Sequence, residues 1–325
     1  MNATAPVAPV FIVGVGRSGT TLLVNLIGSH PLLAPIYETS FLRSLLLLCE
    51  RAVWFRGDSL TRRVGAIFVE RRARARFLAA CQKYKAKCEE FRQMALTRPD
   101  PEYSRAHGLR QKYEVFPLER QGLLFDMDVL IEEADVFVRA VQVGPRTEKE
   151  IYGLAREGTD RLFAMHCARA NKPTWVNKTP RLLLNLDLLQ KLYPSAKCIH
   201  IVRDGRDVAA SNLSLSWGPD NVRDAARRWR ECLEARKRMN PTQLSYLELH
   251  YEDLIEFPEE TLKNIFGFLG LSGDTHEMLS QFKIYDQRVG AWRGAFTAED
   301  RRAFAKEAGD LLIELGYEKD YRWVR

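Results

Sequence analysis

The chain has 325 residues and a formal net charge of +7, with 46% apolar and 28% charged residues. That composition is an ordinary globular one and excludes collagen-like, disordered and disulfide-scaffold chains. The longest apolar runs, residues 10–15 and 45–48, are far below the roughly 20 residues of a spanning helix, and residues 1–9 lack the basic start of a signal peptide. The default expectation is a cytoplasmic protein.

In chain order, residues 10–15 form a β-branched run ending in a glycine-rich turn, and 20–28 carry apolar residues at helical spacing. A second strand is expected over 32–37. Residues 41–170 then break the rhythm: mostly helical in pattern, Arg-rich early on, punctuated by Arg98-Pro99-Asp100-Pro101 and Val143-Gly144-Pro145. Strands are expected over 174–178, 197–202 and 243–251, alternating with helices over 180–192, 204–215 and 221–239. Helices over 258–269, 275–282 and 297–315 follow, with a polar link at 287–294. Strands alternating with helices imply an α/β fold, a P-loop-like three-layer arrangement with a central parallel sheet. The whole chain reads as a single domain: a core of about 10–40 and 174–325, and a large helical insertion of about 41–170 forming an acceptor side or lid.

The charge is not spread evenly. Residues 51–92 hold twelve Lys or Arg against four acids, a net of +8, so the remainder is close to neutral. A single basic segment suggests an anionic ligand or surface for that segment, or only a solvated face. The six cysteines (Cys49, Cys81, Cys88, Cys167, Cys198, Cys232) have no zinc-like or CxxC spacing and read as free thiols.

Gly14-Val15-Gly16-Arg17-Ser18-Gly19-Thr20-Thr21 joins a strand to a helix, where free amides and the helix dipole hold anions. The glycine spacing equals that of a P-loop, yet Thr20 stands where nucleotide triphosphatases carry lysine. Without the lysine that reaches the β- and γ-phosphates, the loop suits a nucleotide bearing one substituted 5′-phosphate. Farther on, Arg203 ends the strand 197–202, and Ser211 lies about two turns into the next helix; the two are placed to converge on a second phosphate.

Gly16-Arg17-Ser18-Gly19-Thr20-Thr21 together with Arg203-Asp204-Gly205-Arg206 and Ser211 resembles the paired signatures of sulfotransferases that use 3′-phosphoadenosine 5′-phosphosulfate (PAPS). The branch it is most similar to contains tyrosylprotein sulfotransferases and bacterial relatives. The further matches are His30-Pro31 with Glu38-Thr39, Asn177-Lys178 with Pro180, Trp229, and His250-Tyr251-Glu252-Asp253-Leu254. The resemblance implies that Gly16, Arg17, Ser18, Gly19, Thr20 and Thr21 hold the 5′-phosphosulfate, and that Arg203 and Ser211 hold the 3′-phosphate. Tyr251, Trp229 and Arg288 are then further cofactor contacts, with core packing equally open for Trp229. Glu38 becomes the general base, against helix capping or ion pairing; Lys178, with Arg17, stabilises the transferring and leaving oxygens, against a solvated lysine. No metal is expected. The acceptor is a hydroxyl on a carbohydrate, tyrosine, lipid or small metabolite, with an acidic acceptor, peripheral membrane contact and a dimer left open and no nucleic acid expected. His200 and His166 read as core or surface residues rather than ligands or catalysts, and His30 as a helix-end residue rather than the base. Two rivals stay open: a P-loop kinase or nucleotide triphosphatase, with Asp204 as the magnesium-binding acid, and an inactive anion-binding protein using the basic insertion.

Overall fold

The computed structural model describes residues 8–54, 71–86, 89, 127–142, 147–215, 218–238, 245–282, 284 and 288–325. The described elements begin with β1 (Val10–Gly14), α1 (Thr20–Gly28), β2 (Leu33–Tyr37), α2 (Ser40–Trp54), α3 (residues 71–86), α4 (Met127–Gln142), α5 (Glu148–Ala170) and β3 (Thr174–Lys178). They continue with α6 (Leu186–Leu192), β4 (Lys197–Val202), α7 (Gly205–Leu213), α8 (Val222–Ala235), β5 (Ser245–His250) and α9 (Tyr251–Glu256). The last are α10 (Pro258–Leu269), α11 (Thr275–Ser280), α12 (Trp292–Ala295) and α13 (Ala298–Glu314). The fold is α/β with a central parallel sheet flanked by helices, and its residues fall into two compact units.

The first unit comprises residues 1–30, 180–187 and 195–325. In it β4 pairs in parallel with β1, from Val10↔Lys197 to Gly14↔Ile201, and with β5, from Lys197↔Ser245 to Val202↔His250. All five residues of β1 are buried, as expected for a strand covered on both faces. The helices that close this unit pack Trp229, Leu233, Phe304, Leu311 and Leu312 around Val202 and Val208. A capping box at Thr297 and Asp300 starts α13, and Asn221 caps α8.

The second unit comprises residues 31–179 and 188–194. Here β2 and β3 pair in parallel from Leu33↔Thr174 to Tyr37↔Lys178, so Lys178 lies beside Tyr37 at the carboxyl ends of the strands. The apolar faces of α2, α4 and α5 supply Phe41, Leu46, Phe137, Ile151 and Phe163 to its core. On α3, Phe77, Cys81 and Tyr84 are buried while Arg71, Arg72, Arg76 and Lys83 are exposed.

Most expected elements are present with bounds within two residues. The helix expected over 180–192 divides into a 3₁₀ segment, Pro180–Asn185, followed by α6. Such tight turns are common where a helix starts. The helix expected to reach 239 ends at Ala235 and continues as a 3₁₀ turn over Arg236–Arg238, and the expected link 287–294 contains the start of α12. The proline and glycine punctuations at 98–101 and 143–145, residues 55–70 of the basic segment, and Cys88 lie outside the described residues.

Candidate active site

The turn between β1 and α1 is built for close approach. Gly19 has φ +92°, and a Cβ there would lie 2.3 Å from the Tyr251 ring, so both conformation and space require glycine. As N-cap of α1 it offers no side-chain acceptor, which leaves first-turn amides to an outside anion. Gly16 faces open space, with nothing within 4 Å of a built Cβ. Ser18 is fully buried, and its Oγ has no hydrogen-bond partner among the described residues. Thr20 is buried and Thr21 half-buried. An orphaned buried hydroxyl, an uncapped helix start and an open glycine fit an anionic group seated in this turn.

Cations gather around the same turn. Arg17 has φ +75° and donates from Nε to Ser211 Oγ at 2.9 Å. Arg203, 5% exposed, donates from Nη1 to the Arg17 carbonyl at 3.0 Å and from Nη2 to the Arg288 carbonyl. Its guanidinium stacks 4.5 Å from the centre of the Tyr251 ring. Burial lowers the proton affinity of Arg17, and the charges of Arg288 and Arg203 lower it further. Arg17, Ser211, Arg203 and Arg288, named separately from sequence, therefore form one connected group. Tyr251 belongs to it as the platform under Gly19 and Arg203. Trp229 does not: it is 1% exposed, set among apolar side chains, with its ring 5.9 Å from Phe304 and tight against Gly205.

Three residues of this unit carry no role in the sequence reading. Asp207, 2% exposed, accepts the amides of Gly290 at 2.8 Å and Trp292 at 2.9 Å and lies 3.6 Å from Arg203 Nη2. Glu252 accepts the amide of Asp204 at 3.1 Å and the hydroxyl of Tyr317 at 3.0 Å. Arg206 is clamped by Asp204 and Glu318 and stacks 4.0 Å from Trp292 and 4.7 Å from Trp323. Asp204 is thereby engaged as a helix cap and as the partner of Arg206. Its carboxylate was the magnesium ligand of the kinase alternative. Among the described residues, no group of three or more acids, histidines or cysteines is placed to hold a metal ion.

In the second unit, Glu38 follows β2 with φ +53° and donates its amide to the Lys178 carbonyl at 2.7 Å. Lys178 Nζ donates in turn to Glu38 Oε1 and lies 5.7 Å from the centre of the Tyr37 ring. The lysine side chain is 1% exposed and the carboxylate 37%. A buried polar set fixes this corner: Asn177 donates to Thr39 Oγ1 at 2.8 Å, and Thr179 donates to Asn177 Oδ1 at 2.9 Å while accepting the Thr39 amide at 2.9 Å. Tyr84 of α3 donates to the Tyr37 carbonyl at 3.1 Å. The arrangement presents a half-exposed carboxylate held by a buried cation.

The histidines are occupied in packing. His30 donates to the Ser272 carbonyl at 3.2 Å, His166 to the Pro35 carbonyl at 3.0 Å, and fully buried His200 lies 2.9 Å from Glu248. The five described cysteines are free thiols; burial pushes Cys81 up to about 12 and Cys167 to about 11, away from thiolate chemistry. Among the described residues, no helix is long and apolar enough to cross a membrane.

A family profile described as Sulfotransferase family matches residues 9–275. The chain is 28% identical over 215 residues to nodulation protein NoeE of Sinorhizobium fredii, covering 53% of this chain and 51% of that protein. It is 29% identical over 199 residues to omega-hydroxy-beta-dihydromenaquinone-9 sulfotransferase Stf3 of Mycobacterium tuberculosis, covering 55% of this chain and 49% of that protein. The chain thus spans about half the length of these relatives. Among solved structures, the sulfotransferase domain of the Synechococcus PCC 7002 olefin synthase aligns with a TM-score of 0.45 and 20% identity over 95% of this chain and 97% of that one.

Proposed function

Because the chain belongs to the sulfotransferase family, by the match over residues 9–275, we propose that it moves the sulfuryl group of PAPS to a hydroxyl of an acceptor. The observation that supports this donor most is the gathering of Arg17, Arg203 and Arg288 around a turn with an uncapped helix start, where burial first and then the charges of Arg288 and Arg203 lower Arg17. Positive charges gathered around one turn suit an anion of more than one charge. PAPS supplies a sulfuryl group on a phosphate leaving group, together with a 3′-phosphate.

In this reading Arg17 and the amides and hydroxyls of Ser18 to Thr21 bind the 5′ side, and Arg203, Ser211 and Arg288 bind the 3′-phosphate. Tyr251 keeps Arg203 flat. Lys178 neutralises charge on the bridging oxygen, and Glu38 accepts the proton of the acceptor hydroxyl. Its tie to Lys178 keeps the carboxylate aimed, and general-base catalysis of this kind contributes roughly 10²–10⁴-fold. Positioning and fixed charge supply the rest, as in phosphoryl transfer, with arginine and lysine in place of magnesium.

The acceptor class is a hydroxyl compound. One relative's name specifies an omega-hydroxy acceptor, and carbohydrate, tyrosine, lipid and metabolite hydroxyls all suit a half-exposed base. The test is transfer of labelled sulfate from PAPS into a fractionated cell extract in the presence of EDTA. Label is expected in a hydroxyl-bearing fraction with the natural protein and not with Glu38→Gln. Absence of transfer into every fraction contradicts the reading.

A further inference from the structure

We infer that Asp207 is a positioning residue for the donor site, holding Arg203 and the Arg288 segment together as a clamp for a 3′-phosphate; this rests on the donor reading above. Asp207 sits on α7 one turn after Arg203, and its carboxylate is buried. One oxygen accepts the Gly290 amide at 2.8 Å and the other the Trp292 amide at 2.9 Å. The oxygen on Gly290 also lies 3.6 Å from Arg203 Nη2. That same guanidinium donates to the Arg288 carbonyl, which closes a ring through Asp207, residues 288–292 and Arg203.

Each link has a physical reason. The chain turns between the two amides that meet the carboxylate, and Gly290 takes that turn at φ +74°. The carboxylate bears the only charge of the ring opposite to Arg203, so it holds the guanidinium in place through its charge while leaving Arg203 Nε without a partner among the described residues. The ring also fixes the backbone that carries the Arg288 side chain, which is exposed and close enough to Arg17 to depress it. Burial raises Asp207 above the ordinary carboxylate value, and the two amides and Arg203 draw it part of the way back. Asn at this position keeps the shape but loses the charge and offers one acceptor where two are needed.

The test is calorimetric titration with 3′-phosphoadenosine 5′-phosphate and with adenosine 5′-monophosphate, which differ only in the 3′-phosphate. Loss of charge-assisted hydrogen bonds predicts that Asp207→Asn weakens the bisphosphate about tenfold and changes the monophosphate by less than about twofold. Gly290→Ala strains the turn without touching the carboxylate and is expected to lose the same preference, which covers the case in which Asp207→Asn does not fold. In an Arg288→Ala background the cost of Asp207→Asn should shrink, because the two act through one clamp. Equal weakening of both nucleotides, or full additivity with Arg288→Ala, makes Asp207 a general structural residue and overturns the inference. A natural protein that binds the two nucleotides equally overturns the donor reading itself, a result seen before any variant is made.

Discussion

Lys178 and Glu38 form an ion pair whose two ends differ in environment: the ammonium is 1% exposed and the carboxylate 37%. The asymmetry suits a base that must meet an incoming hydroxyl while its cation stays sheltered from water. Glu38→Gln keeps an acceptor for the lysine, and is expected to retain bisphosphate affinity within about twofold and to lose at least about 10²-fold in kcat. Steady-state rates beside calorimetry check this; near-normal turnover removes Glu38 as the base. Glu38→Ala leaves Lys178 without this carboxylate and should lower Tm more than Glu38→Gln does.

Arg17 is held at φ +75° and is pressed by two like charges. A left-handed conformation costs a non-glycine residue roughly 1–2 kcal/mol. Arg17→Gly is therefore expected to keep or raise Tm while losing most affinity for the bisphosphate nucleotide. Thermal melts with and without nucleotide separate the two effects. A Tm that collapses in the free variant contradicts the view that the strain is retained for binding.

The pair His200 and Glu248 contributes to the acid limb of stability. Burial lowers His200 below 6.5. The unfolded chain then binds that proton more readily, so stability is lost as pH falls below 6.5. Burial alone raises Glu248, but its bonds to His200 and Arg236 outweigh this and hold it at about 2 rather than 4.5. Its contribution is present above pH 4.5 and lost as pH falls toward about 2. Urea unfolding across pH is expected to show Glu248→Gln with a flatter profile below pH 4.5. A slope there equal to that of the natural protein contradicts the assignment.

The exposed side of α3 carries Arg71, Arg72 and Arg76. If this face meets an acidic acceptor, replacing the three by Gln raises acceptor KM several-fold, more at low salt than at high, with PAPS affinity unchanged. Initial rates at two ionic strengths give the answer. An unchanged KM marks the stripe as a solvated face.

Much of the first unit was legible because its signals are local. The β-branched run before Gly14, the apolar spacing of 20–28 and the glycines of 14–19 each act over a few residues, and β1 and α1 lie where they predict. The link from Arg17 to Ser211 spans 194 positions, yet both residue types were readable because each belongs to a local strand-to-helix motif. Asp207 was not, because its partners are backbone amides 83 and 85 positions away, and an amide has no sequence signature. Trp229 is a case that the sequence leaves open. An aromatic on an amphipathic helix suits a pocket wall or a core equally, and only the closeness of Gly205 and Phe304 decides for the core. The corner at Glu38 depends on strand register, which places Lys178 beside Tyr37 across 141 positions and which no local pattern encodes.

The central claim is that the three-arginine turn receives a bisphosphorylated nucleotide, and calorimetric titration of the natural protein with 3′-phosphoadenosine 5′-phosphate and, separately, with Mg-ATP tests it most directly. The account predicts micromolar binding of the bisphosphate, abolished by Arg17→Ala and much weakened by Arg203→Ala, with little response to Mg-ATP. Micromolar binding of Mg-ATP with no response to the bisphosphate would contradict it.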